Sequence, residues 1–166
     1  ERFGVDRIVF TGTAGGLGDG VRVGDLVLAD GFVQHDMDAS PLFPRFEVPL
    51  YKQSRFATDA ALSAALGRAA RSAIASPAAV LGADAVSEFD LHAPRVHEGL
   101  IASGDRFVAT GAESQALRQA LPDALAVEME GAAVAQVCHD YGLPFAALRT
   151  ISDRADDAAH VDFMRF

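Results

Sequence analysis

Short apolar runs alternate along this chain with longer segments that have helical character. The apolar runs predict β-strands at residues 7–11, 21–30, 78–85, 99–102, 125–127 and 145–151. The longer segments predict helices at 58–76, 113–121 and 131–141, and another helix begins near residue 160. Strands that alternate with helices predict an α/β fold. We expect a three-layer α/β/α arrangement with a mixed, mainly parallel central sheet.

The size of the chain fits one domain. With 166 residues, half of them hydrophobic, it can bury a sizeable core, so residues 1–166 are taken as a single domain. The first predicted strand begins almost at once, and the last seven residues resemble the opening of a helix. We therefore expect an internal piece of a longer domain, incomplete at both its N-terminus and its C-terminus.

Charge and cysteine content narrow the class of protein. The 23 acidic and 14 basic residues give a net charge of −9, which argues against binding to nucleic acid. No apolar run approaches the length of a membrane-spanning helix. A lone cysteine, Cys138, cannot form an internal disulfide and suits a reducing compartment, so we expect a cytoplasmic protein that does not associate with membranes.

Two carboxylates one residue apart, Glu128 and Glu130, lie where a predicted strand stops and a helix starts. Burying an unpaired carboxylate is costly, so both should face a ligand, a partner group or water. The alternative is that they are ordinary first-turn acids that interact favourably with the helix dipole.

Polar or glycine-rich residues follow several predicted strands, and ligands bind beyond the carboxyl ends of strands in such sheets. These endings are at residues 12–16, 103–105, 128–130 and 152–153. Together they predict a pocket lined by carboxylates, small residues and one aromatic, Phe107. The glycine run after the first strand fits neither the dinucleotide fingerprint nor the Walker phosphate loop, and a plain tight turn is an equal alternative.

Three weaker features leave alternatives open. His35, Asp36 and Asp38 could hold a metal, but ligands at suitable spacing do not accompany them, and a hydrogen-bonded loop is the other interpretation. His92 and His97 are expected at the surface. The segment 40–51 is so apolar that it should pack against its own domain or a second subunit.

Four motifs together resemble the nucleoside phosphorylase superfamily, and within it the 5′-methylthioadenosine/S-adenosylhomocysteine nucleosidases. The motifs are Gly-Thr-Ala-Gly-Gly at 12–16, Ser-Gly-Asp-Arg-Phe at 103–107, Val-Glu-Met-Glu-Gly-Ala-Ala at 127–133 and Arg-Thr-Ile-Ser-Asp at 149–153. The resemblance implies hydrolysis of the N-glycosidic bond of a 5′-thio-adenosine, which releases adenine and needs neither metal nor cofactor.

The resemblance also implies roles for individual residues. Asp153 would protonate the leaving adenine near N7 and Ser152 would orient it. Glu130 would accept the ribose hydroxyls and stabilise an oxocarbenium-like ribose, with Met129 packed beside the sugar. Further substrate contacts are expected from Phe107, the Val108 backbone, Ala14, Gly15 and Arg149. Glu128 and Asp105 are expected either to contact the substrate or to lie behind the residues that do.

One departure concerns the water-activating glutamate of the family, which lies in an N-terminal strand that these residues do not include. Hydrolysis by residues 1–166 alone should therefore be severely impaired. Two alternatives stay open: a purine nucleoside phosphorylase or other purine nucleoside hydrolase of the superfamily, and a non-catalytic nucleoside-binding piece. The resemblance and the segment 40–51 also suggest a homodimer in which one subunit's loop closes the other's pocket.

Overall fold

The computed structural model describes residues 4–91, 93–157 and 159–166. Within these ranges the chain forms six strands and six helices. The strands are β1 (Ile8–Gly16), β2 (Leu26–Gln34), β3 (Arg55–Ala57), β4 (Val96–Ser103), β5 (Ala124–Glu128) and β6 (Phe145–Asp153). The helices are α1 (Ala60–Ile74), α2 (Pro77–Leu81), α3 (Ala83–Glu88), α4 (Gly111–Ala120), α5 (Gly131–Tyr141) and α6 (Ala159–Arg165). The predicted mixed α/β fold is confirmed.

The strands form one sheet that closes on itself. Their order is β3-β2-β4-β5-β1-β6, and β6 also pairs with β2, where Leu26–Leu28 lie antiparallel to residues 148–150. The sheet is mixed as expected: its two longest pairings, β1 with β6 and β2 with β4, are parallel, and three shorter pairings between the described strands are antiparallel. The closure of the sheet was not part of the expected three-layer arrangement. A register shift between Ala29 and Gly31 bends β2, so its two ends pair with different neighbours.

Two predicted segments take a different form. Residues 78–85, expected as a strand, form α2 and α3, because Pro77 occupies a first-turn position of α2 and the alanine-rich sequence favours helix. The second strand begins later than predicted. Its expected start is a turn in which the Asp25 carboxylate accepts a hydrogen bond from the Arg22 amide at 3.0 Å.

The first strand is longer than predicted, because it continues through the glycine run that was expected to form a turn. Its parallel pairing with β6 extends from Ile8, opposite Phe145, to Gly15, opposite Asp153. A glycine is needed at position 12 of this strand, since a Cβ there would lie 2.5 Å from Nη1 of Arg149. The run thus brings bare backbone to the end of the sheet.

The predicted main helices are confirmed. Asp59 accepts a hydrogen bond from the Leu62 amide at 2.8 Å and caps α1, and Gly142 ends α5 in a left-handed conformation. The segment 40–51 is a loop that packs only partly on its own domain, because Val48 is buried whereas Leu42 and Leu50 are 84% and 88% exposed. In the part of the chain that the structure describes, no helix has the length and hydropathy needed to span a membrane.

Candidate active site

A cavity of about 710 Å³ lies at the carboxyl ends of β1, β5 and β6. All ten site residues expected from the sequence line it: Ala14, Gly15, Phe107, Val108, Glu128, Met129, Glu130, Arg149, Ser152 and Asp153. They come from four separate segments that the closed sheet brings together. The cavity is of a size that suits a small organic ligand.

The Glu128 carboxylate is buried and occupied by donors. Both of its oxygens accept hydrogen bonds from the Gly131 amide at 2.9 Å, and Oε2 also accepts from the Glu130 amide at 3.3 Å. The Ser103 hydroxyl and Nη2 of Arg149 donate to the same carboxylate. Glu128 therefore caps the first turn of α5, as the helix-dipole alternative expects, and it faces a partner group as well.

Arg149 balances this buried charge. Its side chain is 2% exposed, and the guanidinium carbon lies 4.0 Å from the centre of the Phe10 ring. The space for it exists because residue 12, opposite in β1, is a glycine. Its Nε is buried and has no hydrogen-bond partner within the described ranges. Arg149 thus neutralises Glu128 and stacks on an aromatic wall of the cavity.

Asp153 ends β6 and is 1% exposed. The Ser152 hydroxyl donates to its Oδ2 at 2.9 Å, and the Ala155 amide donates to Oδ1 at 2.8 Å. A Cβ on residue 15 would lie 2.9 Å from the same Oδ1, so glycine there leaves room beside the carboxyl. The Ser152 hydroxyl and the Ala155 amide therefore fix the orientation of the Asp153 carboxyl.

The other side of the cavity is open. Phe107 and Met129 are 39% and 40% exposed, and Glu130 is also exposed. Sequence reasoning missed two residues of α6 that line the cavity, Phe163 and Met164. The Phe163 ring lies 5.9 Å from that of Phe107, centre to centre. The apolar positions of the helix predicted from residue 160 were the available indication.

The histidine and aspartate segment after β2 forms a hydrogen-bonded loop. Oδ1 of Asp36 accepts from the Gln34 side chain at 2.8 Å, and Asp38 accepts from Ser40. No group of three or more potential metal-binding side chains occurs in the ranges that the structure covers.

Of the two histidines expected at the surface, His92 lies outside the described residues. His97 is in β4, where Nε2 lies 2.8 Å from Oδ2 of the buried Asp25. Its side chain is 22% exposed, so this contact with Asp25 leaves His97 only partly at the surface.

Comparisons with known proteins agree with this arrangement. A family model described as the phosphorylase superfamily matches residues 1–166. The 5′-methylthioadenosine/S-adenosylhomocysteine nucleosidase of Shewanella halifaxensis is 34% identical over 163 residues, which are 98% of this chain and 63% of the relative. The chain thus spans less than two thirds of the length of that relative.

Solved structures are similar over the same extent. The 5′-methylthioadenosine/S-adenosylhomocysteine nucleosidase of Neisseria meningitidis was solved in complex with methylthio-immucillin-A. It superposes on this chain with a TM-score of 0.82 and 38% identity, and the match covers 99% of this chain and 63% of the other. The futalosine hydrolase of Helicobacter pylori superposes with a TM-score of 0.78 and 35% identity, covering 99% of this chain and 62% of the other.

Proposed function

This chain belongs to the phosphorylase superfamily, and we propose that it provides the base-binding and acid-bearing part of a nucleosidase. The proposed reaction is hydrolysis of the N-glycosidic bond of 5′-methylthioadenosine or S-adenosylhomocysteine, with release of adenine and a 5-thioribose product. The names of its relatives support this assignment. Such an enzyme serves methionine salvage and the recycling of by-products of S-adenosylmethionine.

The observation that carries the proposal is the placement of Asp153. A buried carboxyl, held by Ser152 and the Ala155 amide, lines the same cavity as the aromatic side chain of Phe107. A purine stacked on Phe107 would present its edge to Asp153. Transfer of the Asp153 proton to N7 would make adenine a neutral leaving group as the bond from N9 to C1′ breaks, which general acid catalysis favours.

The ribose half of the reaction needs different chemistry. As the bond breaks, C1′ becomes electron-deficient and water adds there, and the proton that the water loses would pass to the water-activating glutamate expected of the family. Glu130 is exposed to the cavity, and its carboxylate has no hydrogen-bond partner among the described residues. It can therefore accept hydrogen bonds from ribose hydroxyls and stabilise positive charge on the sugar. Met129 would pack against the same sugar, while the Val108 backbone would contact the base.

A second candidate is hydrolysis of another purine nucleoside. The specific support is the similarity to a futalosine hydrolase, whose TM-score and identity are close to those of the nucleosidases. Both activities need the same acid and the same ribose contacts.

The assembly is proposed to be a homodimer in the cytoplasm. Leu42 and Leu50 project from the loop 40–51 with most of their surface exposed, and apolar residues so placed favour burial against another subunit. The loop would close the partner's pocket near the 5′ substituent. No nucleic acid or membrane is expected to take part.

The test is release of the free purine base from methylthioadenosine and from futalosine by the purified full-length protein, with and without phosphate. We expect phosphate-independent release that falls by about 10²- to 10⁴-fold in Asp153→Asn, because the amide keeps the shape of the carboxyl but cannot donate the acid proton. Asp157→Asn is the matched control, since Asp157 is exposed and its carboxylate accepts a hydrogen bond from the Gly111 amide at 3.3 Å. Release that requires phosphate, or an unimpaired Asp153→Asn, would refute the proposal.

A further inference from the structure

The segment that follows β2 is attached to the loop that carries Phe107. The pairing of β2 with β4 ends where Gln34 lies opposite Ser103. One residue further on, the His35 amide donates to the Ser103 carbonyl at 2.8 Å. The next contact is made by a side chain, because Oδ2 of Asp36 accepts a hydrogen bond from the Asp105 amide at 2.7 Å. Asp36 thus continues the sheet contact beyond the end of the strands.

Packing between His35 and Gly104 holds the two segments together at the same point. A Cβ built on residue 104 would lie 2.2 Å from Nε2 and 2.6 Å from Cε1 of the His35 ring. The ring therefore lies directly against the backbone of residue 104. No larger residue fits there unless His35 moves, so the loop starts from a fixed position.

The Asp36 carboxylate is itself oriented. Its other oxygen, Oδ1, accepts from the Gln34 side chain at 2.8 Å. Burial raises the pKa of Asp36, but the hydrogen bonds from the Asp105 amide and Gln34, together with the nearby His35, outweigh it and leave the pKa below its ordinary value. Asp36 is therefore an ionised acceptor, and a hydrogen bond to an ionised acceptor is stronger than a neutral one.

The far end of the same loop has its own anchor. Glu113 in the first turn of α4 accepts a hydrogen bond from the Thr110 hydroxyl at 2.9 Å and a longer one from the Ala109 amide at 3.4 Å. The Thr110 hydroxyl in turn accepts from the Glu113 amide, which makes a capping box. The loop is thus attached at Asp105 and at Ala109, and residues 106–108 lie between the two anchors.

We propose that Asp36 is a positioning residue for the purine subsite. By holding the Asp105 amide in place, Asp36 fixes the loop and thereby the orientation of the Phe107 ring. The proposal rests on the proposed function for the identity of the base. Asp36 does not line the cavity, so it acts through the loop and not by touching the ligand. A base stacked on Phe107 would be bound in the ground state and in the transition state alike.

Equal binding of the base in the ground state and the transition state predicts how Asp36 variants should change the kinetic constants. Loss of an interaction made equally in both states raises KM and leaves kcat nearly unchanged. For Asp36→Ala we expect KM for the nucleoside and Kd for free adenine to rise by about tenfold, the effect of losing an ordered aromatic stacking contact. Asp36→Asn should recover most of the affinity, because its amide oxygen can still accept the Asp105 hydrogen bond.

The experiment compares wild type, Asp36→Ala, Asp36→Asn and Asp123→Ala. Asp123 is a suitable control because it also links two elements, through its ion pair with Arg55 at 2.6 Å. It precedes β5, whereas Glu128 ends that strand, so Asp123 lies at the end of β5 away from the cavity. Calorimetry gives Kd for adenine and steady-state assays give kcat and KM. Amide hydrogen exchange of residues 104–108 in the free protein reports the anchor without any need for activity.

The outcomes separate the two proposals. Faster exchange and weaker adenine binding in Asp36→Ala, with both restored in Asp36→Asn and unchanged in Asp123→Ala, would support the positioning role. Unchanged exchange in Asp36→Ala, or an Asp36→Asn variant as impaired as Asp36→Ala, would overturn it. If wild type neither binds nor releases adenine, the proposed function fails. The role of Asp36 in purine binding is then overturned too, even if hydrogen exchange shows that Asp36 anchors the loop.

Discussion

Glu128 and Glu130 are separated by one residue and have opposite surroundings. The Glu128 side chain is 3% exposed and accepts hydrogen bonds from a hydroxyl, a guanidinium and two backbone amides. Glu130 lies on the open side of the cavity, and its side chain accepts no hydrogen bond from the residues that the structure covers. A carboxylate whose acceptor positions are filled by the protein supports structure, whereas one left open is available to a ligand.

The same contrast divides the rest of the site. Ser103, Arg149, Ser152 and Asp153 belong to the buried side, where each has contacts that fix its position. Phe107, Met129 and Phe163 belong to the open side and are more than a third exposed. Preorganised groups therefore lie next to side chains that can still adapt to a ligand.

Removal of Glu128 should have the largest effect on stability. Glu128→Ala leaves Arg149 as a buried, unpaired charge and uncaps α5, so we expect a loss of about 3–5 kcal/mol in the free energy of unfolding. Urea denaturation of the purified protein measures it. A control is Glu98→Ala, which removes a carboxylate from an exposed ion pair with Arg71. If both variants unfold at the same urea concentration, Glu128 is not the structural member of the pair.

Removal of the Glu130 charge should lower activity and leave stability unchanged. We expect Glu130→Gln to lower kcat/KM for nucleoside hydrolysis by about 100-fold, because an electrostatic contact to the transition state is lost. The urea midpoint should stay at the wild-type value, since exposed side chains contribute little to stability. A variant that is destabilised yet active would contradict the assignment of Glu130 to the ligand.

A smaller effect on stability is expected from His35, which is only partly buried but whose Nε2 atom is enclosed by the protein. Nε2 of His35 has no hydrogen bond within the described part of the chain. Burial lowers the pKa of His35, the nearby Arg106 and Arg45 lower it further, and Asp36 and Asp105 oppose this. The folded state thus binds the proton less readily than the unfolded state does.

The direction of the pH dependence follows from that difference. Neutral His35 contributes fully to the free energy of unfolding above about pH 6.5, the pKa of histidine in the unfolded chain. This contribution is lost as the pH falls from there toward the lower pKa of His35 in the folded protein. Between pH 7 and pH 5 we expect the urea midpoint to fall less in His35→Gln than in wild type. His139→Gln, which changes an exposed histidine, should keep the wild-type slope. A wild-type slope in His35→Gln would show that this histidine does not contribute.

Local features of the fold were predictable from the sequence. Asp59 and Gly142 mark the ends of helices through interactions with residues a few positions away, so the sequence around them suffices. The error at 78–85 has a local cause too: the strand was assigned from the small, apolar character of the run, which a helix shares, whereas Pro77 and the alanines favour a helix. The closure of the sheet was not predictable, since Leu26 and Thr150 are far apart in the chain.

The membership of the site came from the sequence, and the division of labour within it came from the tertiary structure. The family resemblance carried by the four motifs named the ten expected lining residues, of which nine lie in the motifs and Val108 directly follows one of them. Local preferences in Val-Glu-Met-Glu-Gly do not distinguish the two glutamates, and only the family resemblance assigned the ribose to Glu130. Ser103 and Arg149 make that choice, from 25 and 21 residues away, by filling the acceptor positions of Glu128. Contacts at such separations depend on how the strands pack, which local sequence preferences do not specify.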